Sequence, residues 1–154
     1  MKVALDSNIL AYAAGLDDLD RQTLAQGIIA RIGTRDLVVP QQVAGELYNV
    51  LLRKGRHPAA AAVRIVAGWT GLVGSTPSSP AAFADALDLA SAHKFQIWDA
   101  LIVCTAAEAG CDVLLSEDMQ HGFQYRGLTI VNPFAETPHP RLRALLQSLP
   151  EPRP

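Results

Sequence analysis

The opening stretch, Lys2-Val3-Ala4-Leu5-Asp6-Ser7-Asn8, constrains the fold more than any other part of the chain. A short apolar run suited to a strand ends on a carboxylate, followed by a hydroxyl and an amide. Ile9 to Ala14 then reads as a helix that stops at Gly15. A strand that hands an aspartate straight to a helix leaves the carboxylate at the strand's carboxyl end. In open α/β sheets that edge binds ligands.

The alternation continues. Arg21 to Ile32 is a helix with Leu24, Ile28 and Ile32 spaced by four, and Gly33 suits its C-cap. Leu37-Val38-Val39 is a second strand, and Pro40 opens a helix reaching about Lys54, with Val43, Leu47, Val50 and Leu51 as its apolar stripe. Pro58 starts an alanine-rich helix ending near Trp69, and Leu72-Val73 with its neighbours reads as a weak third strand. After the Ser75–Pro80 loop come helices at Ala81–Lys94 and Trp98–Ala109, then strands at Val113–Leu115 and Leu128–Val131. Strands alternating with helices predict an α/β fold: a parallel sheet with helices on both faces. Residues 1–134 are expected to form one domain. Residues 135–154 form a proline-rich C-terminal tail, read as mobile, as a docking segment or as a short helix.

The chain has 154 residues, 49% hydrophobic and 18% charged, which suits one globular domain and excludes a disordered chain. No apolar run approaches the roughly 18 residues of a membrane span, and Asp6 interrupts any signal-like segment. A cytoplasmic location without membrane attachment is the expectation. Cys104 and Cys111 sit among core-like residues and are expected to be small buried hydrophobes, not a disulfide. A net charge of −2 excludes a strongly basic nucleic-acid coat. An acidic pocket that holds cations remains compatible with it.

Four carboxylates stand out, each with a plainer structural use. Asp6 and Asp99 are placed to cap helices, and Asp118 is placed in a turn after a strand. Glu46 is more informative, because it shares the apolar stripe of its helix and finds no cation at helical spacing. A buried carboxylate of that kind needs a tertiary partner, a metal or a route to water. In a doubly wound sheet all four reach one edge. Packed carboxylates repel unless a cation joins them, and hard oxygen ligands suit Mg²⁺, with Mn²⁺ as a substitute, over zinc. Ser7, Asn8 and Ser116 add neutral oxygens beside them. Carboxylate-held Mg²⁺ activates water against phosphodiesters. No rival nucleophile stands out, and His57, His93, His121 and His139 lack zinc-ligand spacing.

The blocks Leu5-Asp6-Ser7-Asn8-Ile9-Leu10, Trp98-Asp99-Ala100-Leu101-Ile102 and Leu114-Leu115-Ser116-Glu117-Asp118-Met119-Gln120-His121-Gly122, with Glu46 between them, resemble the PIN-domain ribonucleases, in particular VapC-type toxins of bacterial toxin–antitoxin pairs. The resemblance spans residues 1–134. It implies a three-layer fold with a five-stranded parallel sheet ordered 3-2-1-4-5. It also implies Asp6, Glu46, Asp99 and Asp118 as the catalytic, Mg²⁺-binding set, with Asn8 and Ser116 as polar supports. The implied reaction is endonucleolytic RNA cleavage leaving 5′-phosphate and 3′-hydroxyl ends. The implied partners are RNA, a cognate antitoxin and a second copy of the chain in a homodimer. Many relatives carry a further acid shortly after the position of Asp118; here Gln120 and His121 occupy that region, with Glu117 as the nearby alternative.

Other readings meet specific obstacles. A dinucleotide-binding domain or P-loop would need glycines after the first strand, where Asp6-Ser7-Asn8 has none. A haloacid-dehalogenase-like phosphatase needs a second aspartate at Asn8, and a receiver domain needs adjacent acids at the first strand. The rival from another class is a PIN-fold binding or regulatory module with little nuclease activity. A small antitoxin gene beside this one would favour the toxin. The basic run Arg53-Lys54-Gly55-Arg56-His57 reads either as a phosphate contact or, more simply, as a complement to the helix C-terminus.

Overall fold

The computed structural model of the protein describes residues 1–148. In chain order its strands are β1 (Val3–Leu5), β2 (Leu37–Val38), β3 (Val113–Leu115), β4 (Gln124–Tyr125) and β5 (Leu128–Val131). Its helices are α1 (Ser7–Ala13), α2 (Leu19–Ile32), α3 (Gln41–Arg53), α4 (Ala59–Val73), α5 (Pro80–His93), α6 (Ile97–Glu108) and α7 (Pro140–Ser148). The sheet order is β2-β1-β3-β5-β4, parallel except for the final pair. Every residue of β1, β3 and β5 is buried, as strands covered on both faces require.

The α/β class and the order of the four parallel strands follow the sequence expectation. The fifth strand differs. Leu72 and Val73 continue α4 as its last turn, which Gly74 ends at φ 79°. What remains of the expected edge strand is one parallel bridge between Thr76 and Pro40. At the opposite edge the sheet gains β4, antiparallel to β5 through a two-residue turn at Arg126-Gly127, where both residues have positive φ.

The strands are in register at their carboxyl ends. Leu5 pairs with Leu115, and Leu115 with Val131. The Asp6 amide donates to the Leu115 carbonyl at 3.0 Å, and the Ser116 amide to the Val131 carbonyl at 3.0 Å. Asp6 and Ser116 therefore emerge side by side. The core around the sheet takes Ile9 and Leu10 from α1, Val43, Leu47 and Leu51 from α3, and Ala100, Ile102 and Val103 from α6. Cys104 and Cys111 are free and buried, as expected. Part of the proline-rich C-terminal segment folds as α7, whose Leu142 and Leu145 are buried and whose Leu146 carbonyl accepts from Arg31 Nη2 of α2 at 2.5 Å. Residues 149–154 lie outside the described residues.

Candidate active site

Asp6 is both of the things its sequence position suggested. It caps α1, accepting from the Ser7 amide at 2.7 Å, and it is 5% exposed at the sheet edge. Its other oxygen accepts from Ser116 Oγ at 2.7 Å and Asn8 Nδ2 at 3.1 Å. Asn8 is the local hub: its amide also reaches Asp118 Oδ2 at 3.2 Å, and its carbonyl accepts from the Glu117 amide at 3.3 Å. Ser116 Oγ in turn accepts from the Met119 amide at 3.2 Å, which shapes the loop after β3.

Glu46, in the second turn of α3, is half-buried. Its carboxylate accepts from Gln42 Nε2 at 3.0 Å and Ser7 Oγ at 3.4 Å, so the partner that the sequence demanded is a pair of neutral donors. Asp99 lies in the first turn of α6. The cap position there belongs to Gln96, which makes no side-chain cap bond, so Asp99 is not spent as a cap. It is half-buried, and Asp118 is exposed at the rim.

The electrostatics tie the four together. Asp6 is pushed up from 3.8 to about 6, chiefly by burial; Ser116 and the Ser7 amide oppose the rise, and the charges of Glu46 and Asp99 add to it. Burial also raises Asp99, with Glu46 and Asp118 contributing. Among the described residues no Lys, Arg or His forms an ion pair with any of the four. As the side chains stand, no group of three or more His, Cys, Asp or Glu among the described residues meets at metal-holding distance. The donor chemistry nonetheless fits a hard divalent cation: every group is an oxygen, each acid repels the others, and no protein cation answers them.

Glu117, the nearby alternative acid, is turned elsewhere. It accepts from the Tyr12 hydroxyl and pairs with Arg21 Nη1 at 2.6 Å. Arg21 also donates to Tyr12 Oη at 2.7 Å and lies over the Tyr12 and Phe134 rings. Gln120 reaches the His93 carbonyl at 3.3 Å, and His121 Nδ1 accepts from the Asn132 amide at 2.9 Å, so His121 is a loop-fixing residue. Sequence reasoning missed the Arg21–Tyr12–Glu117 link, because its members are 9 and 105 positions apart.

A model of the PIN domain matches residues 3–123, which include all four carboxylates. The chain belongs to the PIN-domain family. No curated protein sequence matches it significantly. Several solved structures share its fold. VapC20 from Mycobacterium tuberculosis, described as a sarcin-ricin loop cleaving toxin, superposes with a TM-score of 0.63 at 18% identity, over 73% of this chain and 87% of that one. PAE2754 from Pyrobaculum aerophilum gives 0.62 at 18% identity, over 96% and 98%. FitAcB from Neisseria gonorrhoeae gives 0.57 at 14% identity, over 86% and 98%. At such identities the likeness is one of fold, and the PIN domain's chemistry has to be argued from its own acidic edge.

Proposed function

We propose that this PIN domain is a Mg²⁺-dependent endoribonuclease, the toxin of a toxin–antitoxin pair. The observation that carries this reading is the convergence of Asp6, Glu46, Asp99 and Asp118 at one sheet edge with no protein cation to neutralise them. Family membership supports a nuclease. The likeness to VapC20, a toxin that cleaves the sarcin-ricin loop of RNA, favours RNA and toxicity over other substrates and roles.

In this reading Asp6, Glu46, Asp99 and Asp118 hold the cation. When bound, Mg²⁺, or Mn²⁺ in its place, would make a water more acidic and offset charge on the scissile phosphate. Asp6 is the fixed member, locked by Ser116, Asn8 and the Ser7 amide. Glu46, Asp99 and Asp118 are half-buried or exposed and can rotate toward it. Asn8 and Ser116 orient the acids, and Asn8 couples Asp6 to Asp118. With Glu117 paired to Arg21, no fifth carboxylate among the described residues completes a second cation site.

The antitoxin is expected to seat a basic side chain against the same acids in place of metal. A homodimer is also part of the proposal. Only Ala62 is buried in α4, leaving Val63 and Leu72 exposed, with Phe83 and Leu87 exposed on α5.

The decisive experiment is cleavage of structured RNA by purified protein in Mg²⁺, in EDTA, and by Asp6→Asn. The expected result is cutting that needs both metal and Asp6, with Asp99→Asn also inactive and both variants folded. Equal activity in wild type and variant would remove the nuclease and leave a PIN-fold binding module.

A further inference from the structure

One stripe of α3 runs from the acidic edge into a cavity that borders the carboxylate set at Asp118. Glu46, Val50 and Lys54 follow at four-residue spacing, so they lie on one face and span about 12 Å of helix. Beyond Glu46 the surface dips into a cavity of about 420 Å³ whose apolar walls include Ala11 and Leu16 from the α1 side and Val50 from α3. That volume falls in the range of small-molecule sites, roughly 300–1,000 Å³. Asn8 and Asp118 form the catalytic side of the cavity, and Lys54 lines it as well.

Two observations make this a shaped cavity and not a loose surface dip. The turn after α3 folds back tightly, with the Gly55 amide donating to the Val50 carbonyl at 3.2 Å and the His57 amide to the Leu51 carbonyl at 3.0 Å. A Cβ at residue 55 would lie 2.9 Å from the Leu51 carbonyl oxygen and 3.2 Å from Leu16 Cδ1, so glycine lets the turn close onto the Leu16 wall. The second observation concerns charge. The Lys54 ammonium has no ion pair or hydrogen bond among the described residues, although Asp17 and Asp118 line the same cavity. Asp17 lies 3.9 Å from Arg21 and Asp118 accepts from Asn8, which leaves Lys54 a cation without a partner.

We infer that this cavity is a subsite for one nucleotide of the RNA next to the scissile phosphate. It would take the base and sugar between Leu16 and Val50 and the neighbouring phosphate on Lys54. The inference rests on the ribonuclease reading and gives that site a means of base preference. A mixed cavity, with Leu16 and Val50 as apolar walls, Asp17 and Asp118 as acids and the Lys54 ammonium as its cation, offers separate contacts to a nucleotide's flat base and to its anionic phosphate. Lys54, which the sequence read more simply as complementing a helix end, becomes a phosphate contact.

The test separates binding from cleavage. Nucleoside 5′-monophosphates are titrated into the protein in EDTA while the Leu16 and Val50 methyl resonances are followed. Saturable shifts are expected, with affinity about fivefold weaker in Lys54→Glu and absent in Val50→Trp. A random-sequence RNA pool is then cut in Mg²⁺ and the ends sequenced. The wild type should show a base bias at one position beside the cut, and Val50→Trp should flatten it while residual cutting still requires Asp6. Methyl resonances unmoved by every nucleotide, or a bias identical in wild type and both variants, would overturn the subsite even if cleavage is robust. Nucleotide binding without any cleavage would support the subsite and sink the nuclease assignment instead. Because Lys54 is exposed, Lys54→Glu tests the proposal even if Val50→Trp misfolds.

Discussion

Asp6 combines burial, capping and repulsion, and its protonation carries a prediction for the metal-stripped protein. With its carboxyl near 6 in the fold against 3.8 ordinarily, the native state holds a proton between about pH 4 and 6 that the unfolded chain has released. The folded state binds more protons in that window, so stability is greatest below it, falls as pH rises through it, and levels off above about 6. The shift corresponds to something on the order of 3 kcal/mol. Denaturant titrations in EDTA at several pH values should show wild type losing stability relative to Asp6→Asn, which cannot titrate. Parallel curves would mean that burial does not load the carboxylate. Ser116→Ala removes a 2.7 Å hydrogen bond to the same buried oxygen. It should weaken Mg²⁺ binding, measured calorimetrically, because Asp6 is then held by Asn8 and the Ser7 amide alone.

Among the elements, α2 braces the segments that carry the site. Through Arg21 it holds Tyr12 of α1 and Glu117 of the loop after β3, binding three segments that meet at the acidic edge. Tyr12 is pushed up to about 12 by burial and then by Glu117, so it remains a donor across the working pH range. Arg21→Ala should lower the melting temperature, and the loss should shrink as salt is raised, because the link is ionic and partly exposed. A salt-independent loss would point to packing on the Phe134 ring instead. The β4–β5 hairpin offers a simpler check. Gly127 sits at φ 89°, and Gly127→Ala should cost about 1–2 kcal/mol in denaturant unfolding. No cost would mean the turn relaxes into another type.

For the whole molecule, α7 ties the C-terminal segment to the core. α7 lies 115 residues from its hydrogen-bond partner Arg31, yet it contributes Leu142 and Leu145 to the core. Leu145→Ala should therefore cost about 2–5 kcal/mol, as for other buried leucines, measured by chemical denaturation. A change within error would mean that α7 is not docked in solution.

The parallel strands and the helices were legible because each is written in a few consecutive residues: an apolar run, or a stripe at helical spacing. Asp6 could be read from its neighbours alone, and Glu46 could be singled out as a carboxylate on an apolar stripe. The sequence left three things open. Leu72-Val73 reads as a weak strand, and in the structure it is the last turn of α4. Arg126-Gly127 is a weaker turn signal than Asn-Gly, so β4 does not stand out in the sequence. Glu117 and Lys54 differ from other surface charges only by what the fold sets beside them, Arg21 in one case and a cavity in the other. Local chemistry fixes which residues can form the site. Which acids converge, which one is neutralised and which lysine is left without a partner depend on contacts between segments far apart in the chain, and those exist only once it has folded.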